Sequence, residues 1–422
     1  MTVLATRAPG TAIARVTPSV VLLTGVAVAA AIPVVRGKLL LLDVVCLAAL
    51  PLLAVTIVYS RRLGLLALVT GAWVVGQVVA DVTNGYAPRV SVPVLTAVTV
   101  FAIACTLVRL AAPHPARVRL LVAAVAAGLA VQQVLFTAGG TSLDQLWKYG
   151  GGLPVSVAAL ALCDLRWQAG SRAPMLLTLP ALAAADLFAG ARSLAAFTLL
   201  TLALYLIPPL RSRVRLRRVF LVGGVLAGVL LAAFFTAGRA GWLGARTADQ
   251  VKRSTGDAYT LLVNARPEML QAYYLTSSRP LTGYGSVPRI DSATYLASLH
   301  YLATRGVTVD ESLRAGWLTA VDPGVASHSM LLDTTTRAGL LALPFWLVVL
   351  GAAVYRGVRA VALRASPLSA FWALVVLWDV LFSPLDGLYH VLLGAFLALA
   401  LLPLPVPPPP TDPARLMNTV QR

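Results

Sequence analysis

Charge is scarce in this sequence, and negative charge scarcer still. Of its 422 residues 12% are charged, with 16 Asp+Glu against 34 Lys+Arg. So little charge, together with a mean hydropathy of +0.83, excludes an ordinary soluble domain and places the chain in a bilayer. Cysteine is nearly missing too. Cys46, Cys105 and Cys163 all fall in apolar stretches, so they read as small core residues and offer no disulfide framework. The sequence also lacks a Walker-type phosphate loop, an HExxH or CxxC pair and a nucleophile elbow. Their absence removes the nucleotide, zinc, thiol-redox and serine-hydrolase chemistries that those signatures carry.

What is there is apolar helix, repeated. A hydrocarbon core of about 30 Å needs roughly 20 residues of helix, and stretches of that kind recur with short polar breaks. Hydropathy predicts twelve spans, at 18–35, 39–58, 63–80, 90–108, 118–137, 152–165, 174–189, 192–209, 217–236, 328–354, 366–382 and 386–404. The repetition makes the first a membrane helix rather than a cleaved signal peptide. The chain therefore divides into helices one to nine (1–236), a large polar loop (237–327), helices ten to twelve (328–404) and a proline-rich tail (405–422).

Charge sets the orientation. One set, the termini and alternate connections, holds Arg7, Arg15, Arg61, Arg62, Arg109, Arg117, Arg119, Arg166, Arg172, Arg211, Arg213, Arg215, Arg217, Arg218, Arg356, Arg359, Arg364, Arg415 and Arg422. The short connections of the other set hold only Arg36, Lys38, Arg89, Lys148 and Arg192. The positive-inside rule then puts both termini in the cytoplasm and the 237–327 loop outside. Read this way, the excess of positive charge reflects topology and calls for no nucleic-acid partner. The loop is too long for a connector. Apolar residues at helical spacing over 257–277, and an Asp-Ser start at 291 before Tyr295, Leu299 and Leu302, predict short amphipathic helices within it.

Four histidines are available for proton transfer near neutral pH. His114 sits between prolines in a connection, His300 lies on a predicted loop helix, and His390 follows Asp386 in the last span, where a buried structural pair is expected. His328 differs, because it stands where the large loop re-enters the membrane, in His328-Ser329-Met330-Leu331-Leu332-Asp333. Either His328 or Ser329 caps a helix there, or His328 is chemically active beside a helix end that favours an anion. Arg192 and Arg266 lie on the same side, and a guanidinium suits phosphate through its paired donors. Lipid headgroups or Asp186 are the alternative partners for Arg192. Asp333 and Arg337 are spaced for an ion pair along one helix. Asp310-Glu311 is read as a solvated acid pair, with a metal site as the less favoured alternative.

Three of these segments, in this order, resemble the O-antigen ligase and O-antigen polymerase superfamily. Gly190-Ala191-Arg192-Ser193 resembles its Ser-Arg-small motif, with Ala191 in place of Ser. Arg266 followed by Arg279-Pro280-Leu281-Thr282-Gly283-Tyr284-Gly285 resembles an arginine on a helix and then Pro-Leu-x-Gly-x-Gly. His328-Ser329-Met330-Leu331-Leu332, then Gly339, resembles the segment that closes the family's outer loop. Arg337 stands where the family usually has Glu, and Ala342 where a second Gly is common; both departures bear on subfamily and acceptor.

The resemblance implies an all-α polytopic fold similar to the GT-C glycosyltransferases, in a bacterial cytoplasmic membrane. It implies an inverting, metal-independent and cofactor-free transfer of a glycan from a polyprenyl diphosphate to an acceptor hydroxyl on a lipid or cell-wall glycan. His328 would be the general base, Arg192 and Arg266 would bind the diphosphate, and Arg279, Gly283, Tyr284 and Gly285 would form a substrate loop. Ser329, Asp333 and Arg337 would support them. A polymerase of the same superfamily, or a flippase for lipid-linked oligosaccharide, are the alternatives. A conventional GT-C enzyme expects an acid in its first outer loop, and Arg36-Gly37-Lys38 has none.

Overall fold

The structure, a computed structural model, describes residues 20–206, 266–307 and 327–404, apart from 36–37, 87–90, 113, 115, 138–141 and 386. Scattered positions between 221 and 248 are also described. The expected ninth span is thus described only in fragments. The start of the predicted 257–277 helix, Asp310-Glu311, Asp386 and the tail 405–422 lie outside the described residues.

Of the described residues 81% are helical. Helices α1 (Val20–Ala31), α2 (Leu41–Tyr59), α3 (Arg61–Thr83), α4 (Val92–Ala111) and α5 (Arg117–Thr137) open the bundle. Helix α6 (Leu143–Gln168) carries a π-helical turn at Trp147–Gly151. Helices α7 (Ala173–Phe188) and α8 (Arg192–Leu206) follow, then α9 (Pro267–Ser278) and α10 (Ser292–Thr304) from the large loop. Helices α11 (Met330–Ala338), α12 (Leu343–Ala362), α13 (Pro367–Phe382) and α14 (Tyr389–Leu401) complete it. Six helical stretches among the described residues are long and apolar enough to cross a membrane: α2 to α6 and Leu340–Ala362. Helices α1, α7, α8, α13 and α14 are apolar but shorter. Among the described residues the only strands form a ribbon in which β1 (Pro33–Val35) pairs antiparallel with β2 (Leu39–Leu40), replacing the end of the expected first span and the start of the second.

In a bilayer the lipid tails are as apolar as leucine, so helices associate through close packing and polar links. Both are present. A Cβ on Gly128 of α5 would lie 2.2 Å from the Ala27 carbonyl oxygen of α1, and one on Gly394 of α14 would lie 3.0 Å from the Val100 carbonyl oxygen of α4. Trp73 of α3 packs on Phe345 and Trp346 of α12, with ring centroids 4.9 and 5.7 Å away.

Polar links define the two ends of the bundle. At one end His390 Nε2, in the first turn of α14, meets Asp43 Oδ1 of α2 at 3.1 Å, and Asp43 Oδ2 accepts from the Leu40 amide. His390 is therefore the buried structural histidine the sequence suggests, but its partner is Asp43. At the other end Arg119 Nε meets Asp164 Oδ2 at 2.5 Å, and Ser366 donates to the same oxygen and joins Ser369. Arg356 donates to Ser369 and to the Leu402 carbonyl, and Arg62 donates to the Leu401 carbonyl. These bonds gather Arg62, Arg119 and Arg356 at one end of the bundle, the end opposite His390.

The expected tenth span, 328–354, is not one helix. Helix α11 stops at Gly339, whose φ of 70° lies where glycine is favoured, and the chain restarts through Leu340–Ala342 into α12. Helix α12 then runs on to Ala362, past the polar residues that end the hydropathy signal, with Arg356 buried and donating to Ser369 and to the Leu402 carbonyl. Helix α10 begins as its capping signal predicts. The Asp291 carboxylate accepts from the Thr294 amide at 2.8 Å and from its hydroxyl, and these bonds hold its pKa below the ordinary aspartate value.

Candidate functional site

The candidate site starts from a helix end. Ser329 has extended backbone and its Oγ accepts from the Leu332 amide, so it is the N-cap of α11, a contribution of about 1 kcal/mol. The same hydroxyl donates to the Val380 carbonyl in the last turn of α13. That bond pins the start of α11 to the bundle. Of the two capping candidates in the sequence, then, Ser329 caps, and His328 stands one residue outside the helix with its side chain unused for capping.

Helix α9 is the neighbour of α11. The two run side by side in the same direction, because Glu268 meets His328 near their starts and Thr276 meets Thr336 at 3.0 Å near their ends. Thr336 also donates to the Ala272 carbonyl. Pro267 takes the first helical position of α9, where no amide is required, and Arg266 precedes it. Two helix N-termini therefore open at one place. Unpaired amides and dipoles there favour negative charge, and Arg266 adds a full positive charge to the same mouth.

Glu268 is the residue that sequence reasoning passes over. Its Oε1 lies 3.2 Å from His328 Nδ1. Nδ1 is enclosed and makes no aligned hydrogen bond among the described residues, and Glu268 Oε2 is likewise enclosed without one. Yet 36% of the His328 side chain remains exposed, and the enclosed Nδ1 is not part of what is exposed. The only signal in the sequence was the position of Glu268 in the first turn after Arg266-Pro267, which a first-turn acid at a helix start explains equally well.

Arg192 opens α8 and is exposed. Phe197, one turn and a half further, packs on Trp378 of α13 at 5.8 Å, close to the Val380 that receives Ser329. Arg192 thus lies at the same end of the bundle as His328. Asp186, its alternative partner, is buried and receives Trp147 Nε1 at 2.9 Å and the Thr198 hydroxyl at 3.5 Å.

The residues read as a substrate loop lie elsewhere along the same pair of helices. Tyr284 and Gly285 donate their amides to the Thr336 and Arg337 carbonyls at the C-terminal end of α11. With 9 residues at 1.5 Å each, that end is about 13 Å from His328. Tyr284 is buried with its hydroxyl 2.7 Å from Ser278 Oγ. Arg279 stacks over the Tyr284 ring at 4.6 Å and donates to Asn84. Ser286 donates its amide to Asp81, and Tyr86 donates to the Val287 carbonyl. Arg279, Gly283, Tyr284 and Gly285 therefore form a clamp between the end of α3 and the end of α11. Arg337 belongs to the clamp: it pairs with Asp333 at 3.1 Å, as the spacing predicts, and donates to the Ser286 carbonyl.

Among the described residues no three His, Cys, Asp or Glu side chains gather as metal ligands. Comparison with known protein families, with curated proteins and with solved structures finds no match for this chain.

Proposed function

We propose that this protein is a membrane glycosyltransferase of the O-antigen ligase and polymerase type. It has twelve spans in a GT-C-like arrangement, sits in a bacterial cytoplasmic membrane with both termini inside, and works on the outer face. The observation that carries the reading is the meeting of the starts of α9 and α11, where Arg266 and two helix N-termini adjoin the part-exposed His328. The motif order in the sequence supports it.

The chemistry follows from that arrangement. The acceptor oxygen attacks the anomeric carbon, the bond from that carbon to the diphosphate oxygen breaks, and its electron pair leaves with the diphosphate. Attack from the face opposite the leaving group inverts the centre. Negative charge grows on the diphosphate, where Arg266, the amides of α9 and α11, and Arg192 stabilise it electrostatically. The acceptor proton passes to His328, a step for which a positioned base contributes about 100-fold or more. No acid is needed, because diphosphate is already a good leaving group. The clamp formed by Arg279, Gly283, Tyr284 and Gly285 holds α11, and hence His328, in place.

His328→Ala and Arg266→Ala are each expected to abolish glycan transfer in a reconstituted assay with lipid-linked glycan, at normal protein level and membrane insertion. Transfer by His328→Ala at the wild-type rate would sink the base assignment. Movement of lipid-linked glycan between leaflets without a new glycosidic bond would establish a flippase instead. The acceptor is read from a deletion strain: full-length chains on polyprenyl diphosphate indicate a ligase, single repeats a polymerase.

A further inference from the structure

The pairing of Glu268 with His328 goes beyond the reading above, on whose assignment of His328 as base its catalytic part rests. We propose that Glu268 is a positioning residue that fixes the tautomer and orientation of His328.

A neutral imidazole carries one proton, and the nitrogen that bears it cannot serve as a base. Which nitrogen keeps it is set by the partner of the other. Glu268 Oε1 stands 3.2 Å from Nδ1, within reach of a hydrogen bond after a small rotation of either side chain. Nδ1 is enclosed and has no other partner among the described residues. A proton on Nδ1 therefore has one place to be received, the Glu268 carboxylate. Nε2 is left with its lone pair free to take a proton, on a side chain that is 36% exposed beside the helix start that Arg266 precedes. Catalytic pairs of this kind are often loosely aligned before substrate binds and tighten in the complex.

The backbone supports the same assignment. Glu268 sits in the first turn of α9, where the helix dipole is complementary to a carboxylate. Its helix is held against α11 by the Thr276 and Thr336 pair and by the Thr336 bond to the Ala272 carbonyl. His328 is held from its own side by the Ser329 cap and by the Ser329 bond to Val380. Both partners thus project from anchored helix starts. As the acceptor hydroxyl gives its proton to Nε2, the imidazolium that forms is stabilised by the carboxylate already facing Nδ1.

The full-length protein in lipid nanodiscs, with 15N-labelled histidine, provides a test that does not need activity. The His328 signals are identified as those that vanish in His328→Ala. In the wild type they are expected to show Nδ1 protonated and Nε2 free, and in Glu268→Ala this preference is expected to disappear. In the transfer assay Glu268→Ala should lower kcat roughly 100-fold with little change in KM for the lipid-linked donor. Glu268→Gln, whose amide oxygen can still accept from Nδ1, should recover part of the rate. Unchanged tautomer and unchanged kcat in Glu268→Ala would overturn the proposal, as would a loss of kcat with the tautomer intact. If His328→Ala still transfers glycan, the base reading fails, and the tautomer result alone then decides whether Glu268 orients the ring.

Discussion

Gly283 and Gly306 both have positive φ, 52° and 80°, yet they answer to different forces. A Cβ on Gly283 would lie 2.4 Å from the Arg337 carbonyl oxygen, whereas one on Gly306 would meet nothing within 4 Å. Alanine at either position carries backbone strain of about 1–2 kcal/mol. Only at Gly283 must the clamp on α11 also give way. Gly283→Ala is therefore expected to lower the melting temperature in detergent clearly more than Gly306→Ala, and to reduce transfer by loosening α11. Equal melting temperatures would contradict the clamp. The same scale accounts for the place of Arg337. It is occupied on one side by Asp333 and on the other by the Ser286 carbonyl, so here it holds the glycine turn.

Among elements, the packing of helices through small residues is the feature most open to measurement. Gly128 lies in the contact of α5 with α1, while Gly71 of α3 has open space around its Cα. Gly128→Ala would press a Cβ to 2.2 Å from the Ala27 carbonyl oxygen, and such overpacking typically costs about 1–3 kcal/mol. Gly71→Ala removes only a helix-weakening residue, so it should be neutral or stabilising by up to about 1 kcal/mol. Thermal unfolding of the two variants in the same detergent separates these outcomes, and matching shifts would count against the α1 and α5 contact. The break at Gly339 matters for the same reason. It lets α11 lie against α9 instead of continuing the axis of α12, which brings His328 to Glu268.

At the scale of the whole molecule, the two ends of the bundle differ in chemistry. Arg62, Arg119 and Arg356 anchor one end, and Asp43, Glu268 and His328 mark the other. If the arginine end faces the cytoplasm, a cysteine at Thr304 should react with a membrane-impermeant maleimide on intact cells, while one at Ser171 should react only after permeabilisation. Both positions are exposed; the native Cys46 and Cys105 are buried, and Cys163, which is partly buried, is replaced by alanine in the background used for labelling. The reverse labelling would invert the topology and place the proposed chemistry on the wrong side. Much of this was legible in the sequence. Apolar period and length give helices, because lipid offers the backbone no other partner. Asp291 announced the start of α10, Asp333 and Arg337 announced their pair, and basic residues clustered by connection announced the two ends. Local chain chemistry suffices for each of these. The sequence could not show that Glu268, far from His328 along the chain, faces it, that His390 chooses Asp43, or that Gly283 and Gly285 fill a space beside Arg337 and Tyr86. Those are contacts between distant segments, decided by how helices cross and which small residues let backbones approach, and only the tertiary structure brings them together.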